Sequence, residues 1–288
     1  MKKIIALLGL ISILLCGCDG QQETADIAAT TLPVYQFASI LCEGTGLTVT
    51  RLVTENVSCL HDYSLSVKQV KAVERADVVV LSGGGLEHFM EDLLSGKQTL
   101  DASKGIDLLE ACHEHDHSDA HHHEADVHIW LSPENAQAMA TNICKGLSAL
   151  YPQHKAAFEA NLADLLQRLQ DLLDYGRKTL SELSCRKLVT FHDGFSYFAH
   201  SFDLHILKAI EEESGSEASA GELKEVIGIV GEHNLPAIFV ERSGADAAAR
   251  IISREIGVPI FALDMAISGE DYFEAMYQNI NTIKEALG

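Results

Sequence analysis

The chain has 288 residues, of which 42 are acidic and 21 are Lys or Arg, so its formal net charge is −21 at pH 7. A chain this acidic repels phosphates and attracts cationic ligands, which excludes nucleic acid as the expected partner. The length exceeds one comfortable hydrophobic core and suits two domains.

The first residues predict export from the cytoplasm. Two lysines precede an apolar run from Ile4 to Leu15 that is too short to span a bilayer as a stable helix, so residues 1–17 are predicted to be a signal peptide. The run ends in Leu-Cys-Gly-Cys, which is typical of a bacterial lipobox with Cys18 as the lipidated first residue of the mature chain. A cleaved signal with an incidental cysteine is the alternative.

The remaining cysteines are Cys42, Cys59, Cys112, Cys144 and Cys185. Their number is odd and none forms a CxxC pair, so at least one is predicted to be unpaired or paired between chains. The first two, Cys42 and Cys59, are candidates for a bridge.

Short apolar runs alternate with helical periodicity between residues 18 and 150. The predicted strands are Ile27–Thr30, Leu47–Val53 and Val78–Ser82, and the predicted helices lie near Pro33–Glu43, Ser66–Arg75 and Leu86–Leu94. This alternation predicts an α/β lobe with a mostly parallel sheet. The triplet Gly83-Gly84-Gly85 lacks the spacing of a phosphate-binding loop, so it predicts a tight turn.

A single histidine, His61, lies in the loop between the second predicted strand and the next helix. Ligands bind beyond the carboxyl ends of strands in open α/β sheets, so His61 is a candidate ligand. A lone loop histidine is more often simply solvated, and its immediate neighbours do not decide between the two.

Histidines are concentrated in Cys112–Pro133, which holds seven of the fourteen in the chain. Its first part, residues 113–124, contains only His, Asp, Glu and Ser apart from Ala120, and so predicts an exposed, mobile loop. Because neutral imidazoles bind borderline divalent metals, we expect weak, multiple metal binding at the loop histidines. They are His113, His115, His117, His121, His122 and His123. A solvated acidic loop is the alternative.

The composition changes abruptly after Ala125. Residues 126–133 read Asp-Val-His-Ile-Trp-Leu-Ser-Pro, so His128 lies between apolar residues that a folded core can hold rigidly. We therefore predict that His128 is a fixed metal ligand and that the histidines before it collect metal.

A long helical period follows Tyr151-Pro152. Leucines recur at helical spacing between Gln153 and Ser181 with only one glycine, so residues 151–182 are predicted to form a rigid helix that links two lobes.

Residues 183–288 repeat the α/β pattern. The predicted strands lie near Lys187–Phe191, His205–Ile210, Ala237–Val240 and Pro259–Leu263. His192 directly follows the first of these strands and Asp264 the last, so both hold strand-end positions where ligands bind. Asp264 could equally be a helix cap or turn residue, and Glu241 is a candidate to support a ligand.

Four motifs carry a resemblance to a known family. They are His61-Asp62-Tyr63, residues 126–133 behind a His-rich loop, Thr190-Phe191-His192-Asp193, and Leu263-Asp264 followed by Tyr272, Met276 and Asn279. In this order, and over essentially the whole chain, they resemble the zinc- and manganese-specific solute-binding lipoproteins of bacterial ABC importers.

The resemblance implies two α/β lobes joined by one backbone helix, with Zn²⁺, or Mn²⁺ in some members, bound in the cleft between them. His61 and His128 would come from the amino-terminal lobe, and His192 and Asp264 from the carboxyl-terminal lobe. It also implies an extracytoplasmic protein, anchored to the membrane by lipid at Cys18, whose partner is a cognate ABC permease. We expect a monomer.

Three neutral imidazoles and one carboxylate would form a closed, four-coordinate zinc site. Because such a site leaves no open position for a water and has no adjacent general base, we expect a carrier and no enzyme activity. A manganese-preferring member, a metal-binding adhesin lipoprotein and an exported metallohydrolase are the alternatives. Metal competition, cell-binding tests and turnover assays distinguish them.

Overall fold

The computed structural model describes residues 26–55, 57, 60, 63–110, 125–210, 219–244 and 246–288. In these ranges the chain forms two four-stranded sheets, and all strand pairs in both sheets are parallel. The predicted class, two mostly parallel α/β lobes, is confirmed. None of the helices in the same ranges combines the length and hydrophobicity that a transmembrane span requires.

The amino-terminal lobe contains the sheet with strand order β2-β1-β3-β4. Its elements are β1 (Ile27–Ala29), α1 (Leu32–Leu41), β2 (Val49–Arg51), α2 (Val67–Arg75), β3 (Val78–Leu81), a 3₁₀ turn (Leu86–Met90), α3 (Glu91–Leu94) and β4 (Thr99–Asp101). β1 is completely buried, as is typical of a central strand in a parallel sheet with helices on both faces. The sequence did not predict β4, because Thr-Leu-Asp has no apolar run.

The glycine triplet after β3 forms the turn that the sequence predicts. Gly83, Gly84 and Gly85 have φ angles of +85°, +68° and +96°, which favour glycine. A Cβ atom on Gly83 would also lie 2.0 Å from Oδ1 of Asp101, so the backbone and β4 can approach closely only without a side chain.

Two long helices connect the sheets. A 3₁₀ turn (Ile129–Leu131) leads into α4 (Pro133–Leu150), and a second (Pro152–His154) leads into α5 (Lys155–Thr179). Ser132 begins α4 by accepting a hydrogen bond from the backbone N–H of Asn135. α5 has 25 residues, about 37 Å at 1.5 Å per residue, and packs against α1, α4 and the carboxyl-terminal helix of the chain, residues 272–287.

The carboxyl-terminal lobe repeats the arrangement with strand order β6-β5-β7-β8. Its elements are β5 (Lys187–Thr190), α6 (Ser196–Ser201), β6 (His205–Ala209), α7 (Ala220–His233), β7 (Ile238–Glu241), α8 (Ala247–Ile256), β8 (Ile260–Leu263) and α9 (Tyr272–Leu287). In each sheet the first strand lies between the second and third strands, so the chain reverses its winding direction beside it. Ligands bind at such switch points, beyond the carboxyl ends of the strands.

The lobes also contact each other directly. Trp130 Nε1 donates to the Met265 carbonyl at 2.7 Å, and Tyr272 Oη donates to the Trp130 carbonyl at 2.7 Å. The backbone N–H of Leu32 donates to the Ile267 carbonyl at 3.1 Å. One continuous hydrophobic cluster includes side chains from β1, α1, α5 and α9. The two sheets are therefore joined by shared packing as well as by α5.

Candidate metal site

His128 is held firmly on the amino-terminal side of the candidate site. It caps the 3₁₀ turn before α4, and its side chain is 5% exposed. Asp126 Oδ1 accepts a hydrogen bond from the His128 backbone N–H at 2.9 Å and lies 2.8 Å from Nδ1 of the same residue. A carboxylate at this distance favours a proton on Nδ1, which leaves Nε2 as the nitrogen able to bind a metal.

His192 lies beside His128, although the two residues belong to different lobes. It follows β5, and the centroids of the two imidazole rings are 5.3 Å apart with the planes at 79°. Oε2 of Glu241, at the end of β7, lies 3.7 Å from His192 Nδ1, and the Glu241 side chain is 3% exposed. The structure therefore brings together two of the predicted ligands, each with a buried carboxylate on its Nδ1 side.

Gly194 makes this approach possible. A Cβ atom on Gly194 would lie 2.5 Å from Met265 Cε, 2.9 Å from His128 Nδ1 and 2.9 Å from His192 Cδ2. Any side chain at this position would collide with both imidazoles. No sequence pattern predicts this role, because the glycine is close to His128 only in the folded chain.

Asp264 is fixed at the carboxyl end of β8 by its neighbours. Asn279 holds its backbone twice, donating to the Asp264 carbonyl and accepting from its N–H, both at 2.7 Å. Oδ1 accepts from the Ala266 N–H at 2.8 Å, and Oδ2 lies 3.5 Å from Nε of Arg242. The Asp264 side chain is 26% exposed, so it is less enclosed than either histidine.

The fourth predicted ligand, His61, lies outside the described residues, as do Cys18 and the six histidines of the 113–124 loop. Among the residues adjacent to it in sequence, Leu60 is buried, and Tyr63 Oη donates to Glu55 Oε2 at 2.6 Å. Within the described ranges no three His, Cys, Asp or Glu side chains form a group that could hold a metal. The described part of the site is thus the histidine pair, with Asp264 at the same edge of the second sheet.

A buried glutamate organises the switch point of the first sheet. Glu87 Oε1 accepts from Thr30 Oγ1 and from the Ser82 N–H, each at 2.7 Å, and Oε2 accepts from the Gly83 N–H at 3.1 Å. Burial, which removes the carboxylate from water, raises the pKa of Glu87 to about 7. Glu87 ties together the ends of β1 and β3, a role that the sequence analysis missed.

Comparison with known sequences identifies the family. Residues 27–286 match the family described as the zinc-uptake complex component A, periplasmic. The chain is 31% identical over 307 positions to the zinc-binding lipoprotein AdcA of Streptococcus pneumoniae R6, with 99% of this chain and 61% of that protein covered. The chain therefore spans less than two thirds of the length of that relative.

Two solved structures share the fold. A crystal structure of ZnuA has a TM-score of 0.81 at 30% identity, covering 92% of this chain and 100% of that one. The crystal structure of Zn(II)-bound AdcA from Streptococcus pneumoniae has a TM-score of 0.75 at 30% identity, covering 92% of this chain and 58% of that one. The matched region 27–286 contains both sheets, the linking helix and every predicted ligand. The chain belongs to the family of the periplasmic component A of zinc-uptake complexes.

Proposed function

We propose that this chain binds zinc outside the cytoplasm and delivers it to the permease of an ABC importer. The observation that carries the proposal is the contact between His128 and His192, one from each lobe, with ring centroids 5.3 Å apart. Asp126 and Glu241 face the Nδ1 atoms of the two rings, so both Nε2 atoms can serve as zinc ligands. The zinc-binding relative AdcA supports the same cargo.

His61 and Asp264 complete the proposed site. With them, zinc would have three imidazole nitrogens and one carboxylate oxygen, a set suited to closed tetrahedral coordination. Manganese prefers more oxygen ligands, so the set favours zinc. A closed set has no position for an activated water, so the protein acts as a carrier and not as an enzyme.

Zinc held by both lobes would fix their relative position. Because a permease can distinguish loaded from empty protein by such a difference in shape, a ligand set divided between lobes suits delivery. The shared core and α5 restrict large movements, so the signal is a local adjustment at the cleft.

Two segments outside the cleft complete the proposed delivery of zinc: the amino terminus at Cys18 and the 113–124 loop. Cys18 carries a lipid that keeps the protein at the outer face of the membrane, beside the permease, and the histidines of 113–124 collect zinc weakly before it enters the cleft. Mass spectrometry of the mature amino terminus tests the lipid. Deletion of 113–124 is expected to leave one tight zinc site and to remove the weaker equivalents in calorimetry.

Zinc competition with a chromophoric chelator tests the central site. His128→Ala and His192→Ala are expected to lose tight binding, whereas His200→Ala, which removes an exposed histidine of α6, is expected to bind as the parent protein does. Unchanged affinity in His128→Ala and His192→Ala would overturn the proposal. Activity of the purified protein in ester, peptide or lactam turnover assays would favour a hydrolase instead.

A further inference from the structure

Arg242 and Asp264 are neighbours because of the sheet. Glu241 at the end of β7 pairs with Leu263 at the end of β8. The next residues along the chain, Arg242 and Asp264, therefore lie side by side. Arg242 Nε lies 3.5 Å from Asp264 Oδ2, and the Arg242 N–H donates to the Leu263 carbonyl at 2.7 Å. Gln278 Oε1 accepts from Arg242 Nη2 at 3.0 Å, which holds the guanidinium in place.

The ion pair matters because Asp264 is the only carboxylate among the four proposed ligands. A carboxylate oxygen can accept from two directions, so Oδ2 can contact Arg242 and a metal together. A guanidinium at this oxygen then reduces the negative charge that the metal experiences. The three histidines are neutral donors and are affected less.

We infer that Arg242 is a specificity-determining residue that favours zinc over manganese by partly neutralising the Asp264 carboxylate. Manganese depends on carboxylate oxygens more than zinc does, while zinc keeps its imidazole nitrogens. The positive charge therefore weakens manganese binding more than zinc binding. This inference rests on the proposed function, because it needs Asp264 to contact the metal.

The test measures zinc and manganese affinities of Arg242→Gln by chelator competition. Ion pairs of this exposure change an equilibrium by up to about fivefold. We expect manganese binding to tighten by about threefold to fivefold and zinc binding by less than about twofold, so the preference for zinc falls. An unchanged ratio of the two affinities overturns the inference.

Two further variants isolate the mechanism. Arg250→Gln removes the same charge from the same lobe, where Arg250 Nη2 lies 2.6 Å from Asp246, and is expected to leave the ratio unchanged. In an Asp264→Asn background, Arg242→Gln is expected to have no effect on the ratio. An equal shift in Arg250→Gln, or a persisting shift in the Asp264→Asn background, contradicts a role through Asp264.

The variant His192→Ala distinguishes a failure of this inference from a failure of the proposed function. If that variant loses tight zinc binding while Arg242→Gln leaves the ratio unchanged, only the role of Arg242 fails. If His192→Ala binds zinc as tightly as the parent protein, the cleft site fails and the role of Arg242 fails with it. Thermal unfolding of each metal-free variant verifies that it is folded.

Discussion

The two lobes hold their described candidate ligands differently. In the amino-terminal lobe, His128 is fixed by Asp126 at 2.8 Å, and its ring also packs edge-on against buried Trp130. In the carboxyl-terminal lobe, Glu241 lies 3.7 Å from His192, and Asp264 is 26% exposed and paired with an arginine. From this difference we infer that the first lobe provides a ligand already held in place, while the side chains of His192 and Asp264 in the second lobe adjust to the metal.

The largest expected effect is the loss of zinc stabilisation in His192→Ala. A ligand that binds only the folded state stabilises it by about 4.1 kcal/mol at a free concentration 1,000-fold above Kd. His192 belongs to the carboxyl-terminal lobe and contacts His128 of the amino-terminal lobe. Its removal is therefore expected to abolish most of this gain. Thermal unfolding with and without zinc measures it.

A chelator that buffers free zinc suppresses weak binding during this experiment. Replacement of His122, in the 113–124 loop, is the control and is expected to retain the full zinc-induced shift. A lost shift in His122→Ala would instead place the principal site in the loop.

The next largest effect concerns the carboxylates of Asp126 and Glu241, which support the two histidines. Loss of a group that orients a metal ligand lowers affinity by about 10-fold to 100-fold. We expect Asp126→Asn to fall in this range, because its contact with His128 is short, and Glu241→Gln to weaken zinc binding by less than about 10-fold. Chelator competition measures both. A larger loss in Glu241→Gln would reverse the proposed division between the lobes.

Gly194→Ala tests the closeness of the two histidines. The added methyl group would lie within 2.5–2.9 Å of three side-chain atoms, and such overpacking costs about 1–3 kcal/mol. Denaturant unfolding of the metal-free protein measures the loss. Gly228→Ala is a matched control, since Gly228 lies in α7 with open space around its Cβ position, and is expected to be neutral or slightly stabilising.

The smallest effect concerns the bond that anchors the His128 segment to the second lobe. Tyr272→Phe keeps the ring but removes the hydrogen bond to the Trp130 carbonyl, which contributes about 1 kcal/mol. We expect a lower denaturation midpoint and zinc affinity within about threefold of the parent. A much greater loss of zinc affinity would show that the position of His128 in the amino-terminal lobe depends on this contact with the carboxyl-terminal lobe.

The sequence by itself determined the class of fold and the positions of the described candidate ligands. Apolar runs separated by helical periods are a local pattern, and all of the predicted strands are present, at 27–29, 49–51, 78–81, 187–190, 205–209, 238–241 and 260–263. His192 and Asp264 were recognisable because each directly follows a strand. His128 was recognisable because apolar residues surround it, and these residues are buried.

Only the tertiary structure decided which of these residues meet. The contacts of Gly194 with His128, of Glu241 with His192 and of Arg242 with Asp264 join positions 22 or more residues apart. They depend on strand order and lobe packing, which no local pattern encodes. β4 was missed for a related reason: its three residues, Thr99–Asp101, form a strand because β3 provides backbone partners, and not because of their own hydrophobicity.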